Sequence, residues 1–385
     1  MNSEERVWAA LNIEPVDRVP IHTVVFEEKI CAEVLGKPSR NALDVVDELE
    51  KLYPDDLVEQ VNSVMTELET NLLWRMVETT AIMGFDTCGV GYVPFKYETR
   101  ERMSDAYGRK YKVVNLDGNI MTYYYDGMIK NQEDWENFPK PDVKEICKRA
   151  KKLYRTILRR SKKLENKHFV VIAQDNFASV FPTVWQGMGM IAFAKALKKN
   201  PKMIKERFEM TTEIAIELFK TYAECGAKVF LEGADIADRI GPLVNPKYID
   251  KYVLPCMKQV TEVIHDLGGK IIFHSDGNIL PILDFIVESG FDGIHCLEPP
   301  HVDIEVVKKK VGDKLCLLGN IDTTHILVDG TKKEVEDAVK HAIKILGPGG
   351  GFMVSPSNTH PAMNYQQIKW MVEATKQYGV YPIKL

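Results

Sequence analysis

The residues best suited to chemistry lie in six short polar clusters. They are Gln174-Asp175-Asn176; Glu232 with Asp235 and Asp238; His274-Ser275-Asp276-Gly277-Asn278; His295-Cys296-Leu297-Glu298; Asn320-Ile321-Asp322; and Ser355-Pro356-Ser357-Asn358, with His360 beyond. Each closes a short apolar run. Glu232, His274 and Glu298 close successive runs. One imidazole with two carboxylates is a set that zinc accepts, leaving a fourth position for substrate or water. A cation would also explain why so much negative charge gathers in one place. Asp276 is the reserve ligand, or an acceptor that orients His274. Cys296 ranks below the carboxylates because no second thiol accompanies it. The plainer reading is a hydrogen-bonded polar rim whose carboxylates pair with Arg239 or Lys270. No HExxH or paired-cysteine pattern strengthens the metal reading.

The elements that must position these groups are legible as a rhythm. Eight apolar runs cover residues 19–25, 85–90, 169–175, 229–235, 271–277, 293–299, 315–322 and 351–357. They are too short for helices, and several are rich in β-branched residues. Helical patterns at 248–267, 279–289, 303–311 and 332–346 separate the later runs. Alternating strands and helices predict a parallel sheet covered by helices, an α/β fold. Eight strands in series predict a closed (β/α)8 TIM barrel, with a doubly wound sheet as the alternative. Barrel sites lie at the C-terminal strand ends, where the polar clusters would meet. Residues 92–164 break the rhythm with aromatic and β-branched stretches around turns at Tyr107-Gly108 and Asp117-Gly118-Asn119. They read as an antiparallel β-rich insertion capping one end of a single barrel domain spanning 1–385. The basic run 148–163 reads as a solvated helix. Gly347-Pro348-Gly349-Gly350-Gly351 precedes a strand and lacks Lys-Ser/Thr, so it reads as a tight turn rather than a phosphate loop.

Composition narrows the class. The chain has 385 residues, 45% hydrophobic and 27% charged, with a net charge of −5. That is globular, with no electrostatic case for nucleic acid or a membrane surface. No run is long enough to span a bilayer, and the first residues show no apolar signal segment. Seven cysteines without a CxxC pattern suit a reduced cytoplasm.

Three blocks carry a family resemblance: ERVWAALNIEPVDRVP at the start, GPLVNPKYIDKYVLPCMKQVTEVIHDLGGKIIFHSDGNILPILD in the middle, and LLGNIDTTHILVDGTKKEVEDAVKHAIKILGPGGGFMVSPSNTHPAMNY toward the end. In this order they resemble the uroporphyrinogen decarboxylase superfamily along nearly the whole chain. The resemblance implies a (β/α)8 barrel and one of two chemistries. True decarboxylases carry an Arg-rich RQAGRYLP-like segment after the first strand. Here that place reads HTVVFEEKICAEVLG, with no Arg, which would repel a substrate with many carboxylates.

The other branch holds corrinoid (cobalamin)-dependent methyltransferases. Those that methylate coenzyme M use a zinc site of His-x-Cys with a later Cys. The corresponding places read His274-Ser275-Asp276 and Ser355-Pro356-Ser357. The imidazole is kept and both thiolates are missing. A site richer in oxygen suits a donor whose oxygen leaves. The resemblance therefore implies transfer of a methyl group from an O-methyl donor, such as a methoxylated aromatic, to the Co(I) corrinoid of a partner protein. His274, Glu232 and Asp276 would carry the chemistry, with His274, Glu232 and Glu298 on zinc. Asp175, Asn176, Asn320, Ser357 and Asn358 would bind the donor's polar groups. Phe26, Phe177, Phe181, Trp185 and Met188 would form an apolar wall or, equally, core. A homodimer is compatible with this reading. The alternatives are a decarboxylase or lyase of a smaller acid, using Arg100, Arg102 or Arg239; a methylcorrinoid:thiol methyltransferase; and a non-catalytic binding barrel.

Overall fold

Every apolar run becomes a strand. The computed structural model describes residues 1–24, 26–39, 42–53, 55–116, 119–175 and 179–385. The strands are β1 (His22–Thr23), β2 (Thr87–Val90), β3 (Phe95–Thr99), β4 (Arg102–Asp105), β5 (Arg109–Leu116), β6 (Asn119–Gly127), β7 (Val170–Gln174), β8 (Val229–Gly233), β9 (Lys270–His274), β10 (Gly293–His295), β11 (Cys316–Ile321) and β12 (Phe352–Pro356). β1, β2 and β7 through β12 pair in that order, and all these pairs are parallel. Ile21 bridges to Val354, and Val354 N–H donates to the Pro20 carbonyl at 3.0 Å, which closes the ring. The sequential order excludes the doubly wound alternative, where strand order reverses at a switch point.

Both faces of the barrel strands are apolar, so the phase of each strand is set by packing. Val171, Ala173, Phe230, Ile271, Phe273, Ile294, Leu317 and Val354 face the helices. Ile172, Leu231, Ile272, Cys316, Leu318 and Met353 fill the barrel, with Val7 and Leu11 of the helix Ser3–Leu11 packed beneath them. Alternation then puts His22, His274, His295, Asn320 and Ser355 in phase with the interior, and Glu232 in phase with the helix layer.

The antiparallel segment after β2 is a four-stranded sheet ordered β3-β4-β5-β6. The turn at Asp117-Gly118 lies outside the described residues. Tyr97, Met103, Tyr111 and Val113 on this sheet pack with Val46 of helix Ala42–Leu52 and with Val61, Met65 and Leu68 of helix Leu57–Met83. Those helices and Glu28–Leu35 fill the connection from β1 to β2, an elaboration the sequence rhythm did not mark. The sheet also reaches the helix that follows β7: Tyr124 Oη donates to the Gln186 carbonyl at 2.9 Å, at the end of helix Val180–Gln186.

The basic run forms helix Val143–Ser161, started by the Asp142 side chain accepting from Glu145 N–H. It buries Ile146, Leu153 and Ile157, so only one of its sides is solvated. Gly349, Gly350 and Gly351 hold φ of 86°, 80° and 66°, the left-handed turn conformation that favours glycine. Among the described residues, no helix is long and apolar enough to cross a membrane.

Candidate functional site

The interior phase of β9 and β10 ends on two histidines. His274 Nδ1 lies 2.6 Å from His295 Nδ1, with the rings stacked at 4.9 Å between centroids. His295 Nε2 lies 3.0 Å from Ser355 Oγ and 3.3 Å from the Pro356 carbonyl of β12. A third histidine, His22 of β1, meets His295 edge-on at 5.4 Å. Both His22 nitrogens are buried without a hydrogen-bond partner. Burial first, with the neighbouring His274 imidazole adding, pushes His22 down to about 3, so its ring is neutral. Burial and the neighbouring imidazoles hold His295 well below the usual histidine range.

The other nitrogen of His274 faces carboxylates. Nε2 stands 3.4 Å from Asp235 Oδ1 and 3.7 Å from Asp276 Oδ1. Asp235 follows β8 with φ of 29°, a conformation rare outside glycine. Its side chain is 49% accessible, yet its Oδ1 is buried and has no hydrogen-bond partner. Desolvation pushes this carboxyl up to about 6, with His274 opposing and Asp276 adding. Asp276 is fixed from the far side by Asn358 Nδ2, which donates to Oδ2 at 2.7 Å. The Cys296 thiol donates toward Asp276 Oδ1 at 3.4 Å, and burial first, then the nearby carboxylates, push it well above the ordinary thiol range.

Two groups of three ligand atoms lie within 4.8 Å of one another among the described residues: His274, His295 and Cys296, and Asp235, His274 and Asp276. Both nitrogens of His295 are already engaged, so the second group is the one with free lone pairs. An imidazole and two carboxylates, one carrying an orphaned oxygen, fit zinc.

The sequence-derived ligands do not all meet there. Glu232 points into the helix layer, where Oε1 accepts from Val180 N–H at 2.8 Å. Beside it, Asp175 Oδ1 accepts from Gly233 N–H at 3.1 Å. Burial raises both carboxyls, and Asp175 raises Glu232 further. Glu232 Oε2 and Asp175 Oδ2 are both buried without a hydrogen-bond partner. Glu298 lies on the rim and accepts from Gly277 N–H at 2.7 Å. Gly277 has φ of 80°, and a Cβ there would come within 2.4 Å of the Asp238 carbonyl, so only glycine carries this corner.

Among the substrate-binding candidates, Asn358 joins the site through Asp276. Asn320 ends the interior phase of β11, and buried Ser357 donates its N–H to the Ile321 carbonyl at 2.8 Å. Trp185 is half-buried and meets the Tyr124 ring edge-on at 5.5 Å. Phe26, Phe181 and Met188 are core residues. Asn176 and Phe177 lie outside the described residues. His295, Ser355 and Asp235 stand in the polar clusters of the sequence without a role assigned to them, and His22 stands in none. The signal that finds them is strand phase, which needs the fold.

Comparisons with known proteins agree with this architecture. Residues 104–378 match the family model described as Uroporphyrinogen decarboxylase (URO-D). The methylcobamide:CoM methyltransferase MtbA of Methanosarcina acetivorans is 30% identical over 162 residues, 40% of this chain and 45% of that protein. The methylcobamide:CoM methyltransferase MtaA of Methanosarcina barkeri is 25% identical over 193 residues, 49% of this chain and 52% of that protein. The chain thus spans about half the length of the curated relatives it matches. A solved methyltransferase from Methanosarcina mazei superposes with a TM-score of 0.69 over 98% of this chain and 99% of its own, at 16% identity, a likeness of fold.

Proposed function

This chain belongs to the uroporphyrinogen decarboxylase family, and from that premise we propose that it moves a methyl group from the oxygen of a small donor, such as a methoxylated aromatic, to the Co(I) corrinoid of a partner protein. Methyl transfer is supported by the two Methanosarcina relatives, both methylcobamide:CoM methyltransferases. Decarboxylation of a smaller acid lacks support in its cationic candidates: Arg100 is engaged by Asp47 and Glu50, and Arg102 and Arg239 are exposed.

The observation that carries the reading is His274 Nε2 facing two carboxylate oxygens, one of them, Asp235 Oδ1, buried without a hydrogen-bond partner. These three residues would hold zinc, in place of the set with Glu232 and Glu298. Bound there, zinc would supply a Lewis acid at the donor's leaving oxygen. Two carboxylates make the set harder than one built on thiolates, which favours oxygen over sulfur. The residues do the rest. Asn358 holds the Asp276 carboxylate in one orientation, and His295 fixes the His274 ring. The packed interior formed by Ile172, Leu231, Ile272 and Leu318 keeps water out from below. The donor's methyl must then point outward, so that cobalt, carbon and oxygen lie in line.

Metal analysis followed by an anaerobic assay tests this reading. The partner corrinoid is reduced to Co(I), and its visible spectrum is followed with methoxyarenes, methanol and methylamines. About one zinc per chain and conversion to methyl-Co(III) with an ether are expected. His274→Ala should remove zinc and slow transfer by at least ~100-fold. Full zinc occupancy in that variant would overturn the ligand assignment. Methyl-Co(III) from methylamines and from no ether would overturn the oxygen donor, and none from any donor would overturn methyl transfer itself.

A further inference from the structure

The 2.6 Å contact between His274 Nδ1 and His295 Nδ1 requires one proton between two ring nitrogens. The far side of His295 decides which ring owns it. There Nε2 meets Ser355 Oγ at 3.0 Å and the Pro356 carbonyl at 3.3 Å. A carbonyl only accepts. The Ser355 hydroxyl directs its single proton to the same carbonyl, at 2.7 Å, so toward the ring it also accepts. His295 Nε2 must therefore carry hydrogen. His295 is fully buried and its ring nitrogens meet an imidazole, a hydroxyl and a carbonyl but no carboxylate, so nothing holds a second proton on the ring and its Nδ1 is the acceptor. The proton in the short contact then sits on His274 Nδ1. His22, edge-on to His295, limits rotation of the ring that makes this choice.

We propose that the Pro356 carbonyl, Ser355 and His295 form a fixed hydrogen-bond chain that selects the Nδ1–H tautomer of His274 and aims its Nε2 lone pair at Asp235 and Asp276. His295 and Ser355 are positioning residues: they act through His274 and stay away from the reacting atoms. Nothing in the chain's local sequence announces this, since Ser355 is 60 residues from His295. The inference rests on the metal reading above, because a bare nitrogen among carboxylates calls for a cation. Second partners of metal-binding histidines set ring orientation and ligand basicity in this way, and their loss costs about 10- to 100-fold in metal affinity.

The test uses the full-length protein labelled with ¹⁵N-histidine, with and without zinc, alongside zinc affinity from chelator competition. His295 should show the Nε2–H tautomer in both states. With zinc, His274 should be protonated at Nδ1 and metal-shifted at Nε2. His295→Phe should weaken zinc about 10- to 100-fold. His295→Gln, whose amide oxygen can accept from His274, should recover part of that loss. Ser355→Ala leaves the Pro356 carbonyl as acceptor and should lose less. An Nδ1–H tautomer at wild-type His295 overturns the proposal. So does a folded His295→Phe variant with wild-type zinc affinity. Should that variant fail to fold, the wild-type tautomers still decide. A wild-type protein that holds no zinc while His295 keeps its Nε2–H form overturns the metal reading and leaves the tautomer chain standing.

Discussion

At the N-terminal end of the barrel, Asp86 is buried and each of its oxygens is engaged. Oδ1 accepts from Ser3 Oγ at 2.7 Å, Arg6 Nη1 at 2.8 Å and Arg18 Nη2 at 2.9 Å. Oδ2 accepts from Arg18 Nη1 at 2.8 Å and Ile21 N–H at 2.9 Å. Asp292, just before β10, is treated alike by His265, Lys270 and the Ile271 N–H. At the C-terminal end the opposite holds. Both nitrogens of His22, Asp235 Oδ1 and Trp185 Nε1 are buried without hydrogen-bond partners. An unsatisfied buried polar atom costs about 1–3 kcal/mol. One end of the barrel is thus built for stability, while the other holds unsatisfied groups against a ligand. Lys270, a sequence candidate for pairing with mouth carboxylates, belongs to the first end.

The largest effect expected from this contrast is at Asp86. Asp86→Ala removes the anion between two guanidiniums and leaves Arg6, 8% accessible, without it. Breaking a buried pair from one side costs about 3–5 kcal/mol. Urea unfolding should show that loss, while zinc affinity of the folded variant stays at the wild-type value. A loss below ~1 kcal/mol, or zinc lost from a still-folded variant, would break the division between the two ends.

The contrast also explains what was legible in the sequence. All eight runs were visible because a barrel strand is apolar on both faces. For the same reason strand phase was hidden. Nothing in Val229-Phe230-Leu231-Glu232 says whether Glu232 faces the interior or the helices. His22 sits in a run read only as a strand, and His295 stood in a named cluster from which Glu298 was chosen instead. Asp276 and Asn358 were both named, but their hydrogen bond spans 82 positions. The helix Leu57–Met83 is not marked by a single apolar stripe, because it packs on several sides at once: against the helices Glu28–Leu35, Ala42–Leu52 and Val143–Ser161 and against strands β2 and β3.

A smaller effect, with a pH signature, is expected at Asp292. Burial would raise its carboxyl, but His265, Lys270 and the Ile271 N–H outweigh burial and hold it below the ordinary range. An acid with a depressed folded pKa stabilises the fold fully above its unfolded pKa, near 4, and loses that contribution as pH falls through the folded value. Asp292→Asn should therefore cost about 1.5–3 kcal/mol at neutral pH. The gap from wild type should narrow below about pH 4. Denaturant unfolding across that range checks the sign: a gap that widens on acidification would show that Asp292 is not held as an anion.

The smallest effect, and the one that sharpens the comparison most, is expected at His22. Its two nitrogens are desolvated and unpartnered, and an imidazole must keep one N–H in that apolar setting. His22→Phe keeps an aromatic edge against His295 and removes both polar atoms; His22→Leu does the same with a less rigid fill. If the mouth trades stability for chemistry, at least one variant should gain about 1 kcal/mol in urea unfolding. The same variant should bind zinc less tightly, because the His295 ring loses the neighbour that limits its rotation. Destabilisation by both variants, at unchanged zinc affinity, would mean that His22 is satisfied in solution and belongs with Asp86 as a structural group. A gain in stability with a loss in zinc affinity would place His22 on the functional side of the barrel, where a buried polar group without a partner is retained for the geometry it imposes on the ring beside it.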